Sequence, residues 1–435
     1  MQVVILAGGR GSRLNKYTKE IPKPLIKICG KTILEYQIEN LKKYGLTEII
    51  ISVSYLGDQI IDYFQDGSKF GVQISYIEEK KALGTGGALS LLKDKIKNDF
   101  ILLFGDIILN IHWKKFIDFY YKNGKTCAIV VHPNSHPFDS DVIVSNSDDR
   151  LERVLFKNKE RDYYRNLVKS GIHIFNKSIF INIKQNEKQD LEKDILSKML
   201  NNNENIYCYK TAEYIKDMGT LERLEQVTQD IQNEVLEKKS LYNKQKCIFL
   251  DRDGTINVLN GLINKVDELK LEQNVSEAIK MINQSGYLTI VITNQPVVAR
   301  NMCTLEGLNI IHSKMDMLLA EQGAYVDDLY FCPHHPDRGY PEENKEYKIK
   351  CNCRKPSIGM IFEAVKKYNI DITKSYFIGD TTIDIQTGKN AGCKTVLLET
   401  GMAGRDEKFN VSPDYVKSNL LDAVKFILNK DVYKE

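Results

Sequence analysis

Short β-rich apolar runs alternate along this chain with stretches whose apolar positions recur every three or four residues. QVVILA (2–7), EIIISVS (48–54), QISYI (73–77), DFILLF (99–104) and TCAIVV (126–131) read as strands. ILEYQIENLKKYG (33–45) and HWKKFIDFYYKNG (112–124) carry helical spacing and stop at glycine. A second series runs through KCIFLD (246–251), YLTIVITN (287–294), SYFIGD (375–380) and KTVLLE (394–399). Between the two series, residues 221–246 are charged, free of Gly and Pro, and loosely helical in spacing. Strand–helix alternation of this kind predicts mostly parallel sheets covered on both faces.

With 435 residues the chain is too long for one ordinary core. We expect an α/β protein of two doubly wound, Rossmann-like domains, over 1–228 and 246–431, joined by a helical linker at 229–245. The 61 basic and 58 acidic residues leave a net charge of +3, which argues against a nucleic-acid or membrane-surface partner. MQVVILAGG lacks the basic start of a signal peptide, and runs such as IIISV (49–53) are too short to span a bilayer. Six of the nine cysteines are scattered, and three cluster near a histidine. That usage suits a reducing cytoplasm and a metal better than disulfides.

LAGGRGSRL (6–14) follows the first apolar run. A dinucleotide fingerprint would need a third glycine where Leu14 stands, and a P-loop would need a closing Lys-Ser/Thr. What remains is a loop whose backbone N–H groups can approach a triphosphate, with Arg13 adding charge; alone, it also reads as a plain glycine turn. Downstream stand Lys23 between two prolines, a second glycine turn LGTGGAL (83–89), Asp106 closing a buried strand in FGD, and Asp217 in KDMGT. The ordered set resembles the sugar-nucleotide pyrophosphorylases, over roughly residues 1–225. The resemblance implies that Gly8, Gly9, Gly11 and Arg13 hold the triphosphate and Lys23 its charge. It also implies that Gly84 lies near base and sugar, that Asp106 and Asp217 hold Mg²⁺, and that SGIHIF (170–175, with Gly171) and LEKDIL (191–196) face the sugar. Asn158 in FKNK departs from the Glu-Lys that many relatives carry.

FLDRDGTIN (249–257) sets Asp251 and Asp253 one residue apart behind an apolar run. Residues two apart in extended chain face the same side, so both acids can meet one phosphate. A lone Asp-x-Asp also reads as solvated surface. Thr293 in ITNQ, Lys355 in CRKP and Asp380 with Asp384 in IGDTTIDI follow in order. This set resembles the haloacid dehalogenase superfamily. The resemblance implies Asp251 as nucleophile forming an aspartyl-phosphate and Asp253 as general acid and base. It further implies Thr293 and Lys355 at the phosphoryl group, Mg²⁺ on Asp251, Asp253 and Asp380, and Asp384 as an auxiliary acid.

Cys332, His334, Cys351 and Cys353 form a Cys-x-His…Cys-x-Cys set over 332–353 that suits a closed, structural tetrahedral zinc; His335 is an adjacent competitor. With this loop, the C-terminal half resembles the heptose-1,7-bisphosphate phosphatases and the related histidinol-phosphate phosphatases. That implies substrate contacts from Asn294, Gln295, Arg354 and Lys355, with NGL (260–262) closing over the ligand. Pro296, Val297 and Asn301 replace residues usual in relatives. The N-terminal half then resembles the D-glycero-α-D-manno-heptose-1-phosphate guanylyltransferases. The expected function is therefore bifunctional, with removal of a 7-phosphate followed by transfer of GMP from GTP to the sugar 1-phosphate. The rival pairs a hexose-1-phosphate (for example mannose) nucleotidyltransferase with a histidinol-phosphate or other small-phosphate phosphatase.

Overall fold

The computed structural model describes residues 1–9, 20–337 and 343–432. Gly11 and Arg13 lie outside them. The chain divides into two compact units. The first holds Met1–His132, Ile143–Leu155 and Lys169–Ser240; the second holds Leu241–Glu435 together with two earlier excursions, Pro133–Val142 and Phe156–Val168.

In the first sheet, strands β1 (Gln2–Leu6), β2 (Glu48–Val53), β3 (Gln73–Glu78) and β4 (Phe100–Phe104) run parallel in the order β3-β2-β1-β4. Val3, Val4 and Ile5 of β1 are wholly buried, as a strand covered on both faces requires. A separate ribbon pairs β5 (Ile107–Asn110) with the later strand Tyr214–Asp217, and sets Asp217 opposite Ile107. Beyond β4 the sheet continues through antiparallel β6 (Val168–Phe175). Helix α1 (Ile33–Lys42) begins at a reciprocal cap, in which Thr32 accepts from the Glu35 N–H and Glu35 accepts from the Thr32 N–H. Helix α2 (Leu221–Gln232) ends before a turn at Glu234, φ 60°. The next residues pack Val235 and Leu236 against Ile26, Ile28 and Met218 within the first unit.

The second sheet is wholly parallel. It contains β7 (Cys247–Leu250), β8 (Leu288–Asn294), β9 (Asp328–Cys332), β10 (Tyr376–Gly379), β11 (Lys394–Leu398) and β12 (Tyr415–Lys417), in the order β9-β8-β7-β10-β11-β12. Helix α3 (Leu305–Ala320) is capped by Thr304, and α4 (Thr382–Ala391) by a reciprocal pair of Thr381 and Asp384. Both sheets are Rossmann-like. In each, the strand order reverses direction beside the first strand, and a crevice opens there at the carboxyl ends. Among the described residues no helix is long and apolar enough to cross a membrane.

Candidate active sites

At the first crevice lies a cavity of ≈ 630 Å³. Gly8 and Gly9 follow β1, Asp106 follows β4, and Lys23, Glu79 and Gly84 complete the part of the wall that bears on chemistry. Lys23 sits in a one-turn 3₁₀ helix between Pro22 and Pro24, and is 7% exposed. Its ammonium donates to Asp106 Oδ2 at 2.6 Å. Gly84 has φ +73°, and a Cβ there would stand 2.6 Å from the Gln189 carbonyl oxygen, so only glycine fits this approach. Burial raises the Glu79 carboxyl above its ordinary value, against hydrogen bonds from the Leu83 N–H and the Ser52 hydroxyl. Asp217 is absent from the cavity wall. Its carboxylate takes Arg223 Nη1 at 2.6 and 2.8 Å.

At the second crevice, Asp251 follows β7 and Asp380 follows β10. With Asp384 from the first turn of α4, they bring carboxylate oxygens within 4.8 Å of one another, all three residues buried. Lys355 Nζ bridges Asp251 at 2.7 Å and Asp384 at 2.6 Å. Burial lowers the pKa of this lysine, but the two carboxylates outweigh it and the net shift is upward. Burial, then the charge of Asp384, pushes the Asp251 carboxyl up to about 7, against the opposing pull of Lys355. Burial, then Asp251, pushes Asp380 up to about 8.

Asp380 Oδ2 accepts from the Met402 N–H at 2.7 Å, while its Oδ1 is buried without a partner. Gly254 and Gly401 close over this carboxylate, where an added Cβ would come within 2.3 and 2.1 Å of Oδ2. A divalent cation fits such a donor set: clustered oxygens, one of them unpaired, with too little positive charge beside them. Asn294 fixes the Lys355 backbone, accepting from its N–H at 2.9 Å and donating to its carbonyl at 3.2 Å.

Asp253 stands apart from the acid trio. Arg252 donates to it from Nε at 3.2 Å and from Nη2 at 2.8 and 3.0 Å. Asn257 donates to Oδ1 at 3.1 Å, and Gln295 to Oδ2 at 2.7 Å. The Gln295 amide also reaches the hydroxyl of buried Thr293 at 2.9 Å. The oxygens that gather with Asp251 and Asp380 thus come from Asp384, and the Asp253 side chain is engaged elsewhere.

Cys332, His334, Cys351 and Cys353 converge beyond the end of β9. Their sulfurs are 3.2–3.5 Å apart, and His334 Nδ1 lies 3.6 Å from the Cys332 sulfur and 3.3 Å from that of Cys353. Ligands around a tetrahedral zinc, with bonds of about 2.0–2.3 Å, stand roughly 3.5–3.8 Å apart. The sulfurs stand up to a few tenths of an ångström inside that spacing, and three thiols with one imidazole are the donor set that such an ion takes. The His335 imidazole turns away and accepts from the Asp337 N–H. Arg354 donates to the His334 carbonyl at 3.1 Å, so the cysteine loop holds it directly.

A family model described as nucleotidyl transferase matches residues 2–234, more than half of the chain. The chain belongs to the nucleotidyl transferase family. A second model, HAD-hydrolase-like, matches residues 352–423 of this nucleotidyltransferase. Its C-terminal half is 38% identical over 187 residues to the D-glycero-beta-D-manno-heptose-1,7-bisphosphate 7-phosphatase of Haemophilus ducreyi, 42% of this chain and 98% of that protein. The protein of the same name from Escherichia coli K12 is 36% identical over 178 residues, 40% of this chain and 90% of its own length. The crystal structure of HddC from Yersinia pseudotuberculosis, complexed with GMP-PN, aligns over 53% of this chain and 99% of its own. The identity is 28% and the TM-score 0.47, a likeness too partial to add to the strand order. The nucleotidyltransferase therefore carries a HAD-like phosphatase on the same polypeptide.

Of the residues singled out in the sequence, the nucleotidyltransferase unit gathers Gly8, Gly9, Lys23, Gly84 and Asp106 around one cavity. Gly171, at φ +75°, packs against the Phe104 ring instead of lining it. Asn158 is exposed in the excursion Phe156–Val168. Val297 is buried with Val298 and Leu308 in a cluster that Leu262 and Tyr347 pack against, so at Val297 the departure supplies an apolar packing surface. Asn301 has φ 55°, a conformation that glycine takes freely and asparagine tolerates best among the rest. Sequence reasoning passed over Glu79, Arg223, Asn257, Arg252 and His312. For Arg252 the alternation rule pointed away from Asp253, the acid it binds, and His312 sits in an apolar helical run where a histidine reads as core.

Proposed function

We propose that this chain performs two consecutive steps of nucleotide-heptose synthesis. The phosphatase half removes the 7-phosphate of D-glycero-D-manno-heptose 1,7-bisphosphate, and the other half joins the resulting heptose 1-phosphate to GMP from GTP, releasing pyrophosphate. The observation that carries this reading is the pairing, on one polypeptide, of a nucleotide-sized cavity with a half-chain 38% identical to a heptose-bisphosphate 7-phosphatase over 98% of that protein. The phosphatase yields a sugar 1-phosphate, and nucleotidyl transfer to sugars consumes one.

In the phosphatase site Asp251 attacks phosphorus, and the bond to the sugar oxygen breaks as Asp253 gives that oxygen a proton. Asp253 then takes a proton from the water that splits the aspartyl-phosphate, which frees inorganic phosphate and restores Asp251. Lys355 and Thr293 face the transferring group, and Arg354 reads the rest of the substrate from the zinc-fixed loop. Asp251 and Asp380 would hold Mg²⁺, which when bound offsets the repulsion between carboxylate and phosphate dianion. In the other half Lys23 and the Gly8–Gly9 backbone would receive the triphosphate. Asp106 and Asp217 would hold Mg²⁺ once Lys23 and Arg223 turn to the phosphates. Glu79 supports guanine: a carboxylate in the wall can accept from both N1–H and the exocyclic amino group of that base.

The test is incubation of the full chain and magnesium with either anomer of heptose 1,7-bisphosphate, and in parallel with histidinol phosphate or a hexose 1-phosphate, and each nucleoside triphosphate in turn. Released phosphate is assayed, and the nucleotide sugar is weighed by mass spectrometry. GDP-heptose is expected. Phosphate release from histidinol phosphate instead, or a hexose conjugate alone, would overturn the reading.

A further inference from the structure

Arg252 lies between the two acids of the phosphatase site and is wholly buried. Its guanidinium meets Asp253 through Nε and Nη2 at 2.8–3.2 Å, and its Nη1 stands 3.1 Å from His312 Nε2. Arginine only donates, so that imidazole nitrogen accepts and the ring is neutral, with its proton on Nδ1. Burial first, then the charges of Arg252 and Arg165, holds the His312 pKa well below its ordinary value, which agrees with the geometry. The loop from Asp253 to Asn257 folds back on the same residue: the Arg252 carbonyl accepts from the N–H of Ile256 at 2.8 Å and of Asn257 at 3.0 Å. One turn beyond His312 on α3, Asp316 takes Arg165 Nε at 2.7 Å and the Asn166 N–H at 3.1 Å. The helix that carries the imidazole is therefore itself fixed by a largely buried ion pair.

We infer that Arg252 is a positioning residue for Asp253, and that the neutral imidazole of His312 anchors it. The fork geometry matters: two donors on one carboxylate fix the plane in which its oxygens lie, which a point charge does not. Asp253 must serve two geometries in turn, toward the leaving oxygen and then toward water. A carboxylate free to rotate would meet neither consistently. A purely structural part, in which Arg252 only fills space and balances charge, predicts loss of folding without a specific kinetic signature.

The inference rests on the phosphatase reading above, and two substrates separate the two. With heptose 1,7-bisphosphate and magnesium, Arg252→Met in the full chain should lower kcat by ~10²–10³ with little change in KM, the range that general acid–base groups supply. Arg252→Lys should recover part of it. His312→Gln, whose amide oxygen can still accept, should stay close to wild type, while His312→Leu should not. With p-nitrophenyl phosphate the leaving group departs without a proton, so Arg252→Met should form the aspartyl-phosphate but hydrolyse it slowly. Intact mass after acid quench would then find phosphorylated enzyme. The inference fails if Arg252→Met keeps wild-type kcat, or if kcat falls only in step with melting temperature and no phosphorylated enzyme accumulates. If wild type turns over the nitrophenyl ester but not the heptose, the substrate reading fails and the nitrophenyl comparison still decides the part played by Arg252.

Discussion

Replacing Lys355 by methionine removes the ammonium that touches Asp251 at 2.7 Å and Asp384 at 2.6 Å, while nearly keeping the side-chain length. The carboxylates left behind, with Asp380 beside them, are 7% exposed or less. Taking away one partner of a buried ion pair costs ~3–5 kcal/mol when the other charge has no escape. Here Asp251 and Asp380 can escape by binding protons, and that sets the pH dependence. Burial and neighbouring carboxylates already raise Asp251 to about 7 and Asp380 to about 8. Both values lie above those of the unfolded chain, so the folded metal-free protein binds more protons between about pH 4 and pH 8, and its stability falls as pH rises through that window. Lys355 opposes the rise at Asp251, so losing the ammonium moves that acid further in the same direction. Near pH 5 the variant holds Asp251 and Asp380 protonated and the deficit is small; near pH 8 these two ionise against one another and the deficit approaches the full figure. At ~2–4 °C per kcal/mol, the melting temperature of the phosphatase unit should fall by ~6–20 °C at the alkaline end. Calorimetry of the full chain in magnesium-free buffer across that range checks it. A deficit independent of pH, or one below ~1 °C at the alkaline end, would refute the reasoning.

Asp251→Asn should abolish phosphate release and leave nucleotidyl transfer from added heptose 1-phosphate unchanged; loss of both activities, or of neither, would contradict the division of labour. Cys353→Ser should remove one zinc per chain by elemental analysis and, by freeing the loop that holds Arg354, raise KM more than it lowers kcat. Glu79→Gln exchanges one acceptor for a donor on the cavity wall, and competition between nucleoside triphosphates should show GTP preference reduced by about tenfold. Added alone, Mg²⁺ should raise the melting temperature of the phosphatase unit and leave that of the nucleotidyltransferase unit unchanged until a nucleotide is present.

Both Rossmann-like sheets were legible because each buried strand is a short apolar run and each crossover helix carries its own periodicity. The order of strands was not: a period of two states which face a residue takes and says nothing of its neighbour. The gathering of Asp251, Lys355, Asp380 and Asp384 followed from three motifs: Asp251 and Asp380 each follow a strand, Asp384 sits in the first turn of a helix, and Lys355 stands in the loop ahead of another. Asp253 was different. A rule for extended chain sets it beside Asp251, but the chain curls at Gly254, φ +78°, and its carboxylate turns to Arg252. Asp217 tells the same lesson. Its strand-end position was readable, yet the side chain answers to Arg223 six residues on, a partner that no motif marked. Nor does periodicity reveal that Phe156–Val168 keeps company with the second unit through Arg165 and Asp316, residues 151 positions apart.

The two crevices meet the same electrostatic problem in opposite ways. In the nucleotidyltransferase unit each acid already has its own cation, Lys23 on Asp106 and Arg223 on Asp217. A metal arriving there must displace an ion pair, which is favourable only if the released lysine and arginine find new anions, and the phosphates of a nucleotide are such anions. In the phosphatase unit three buried carboxylates cluster around one lysine, Lys355, which pairs only Asp251 and Asp384, and an oxygen of Asp380 has no partner. A cation arriving there relieves repulsion before any substrate is bound. Metal and nucleotide should therefore bind the first site together, whereas metal binds the second site ahead of its substrate. That ordering follows from the count of charges around each pair of strand ends, whichever sugar the chain acts on.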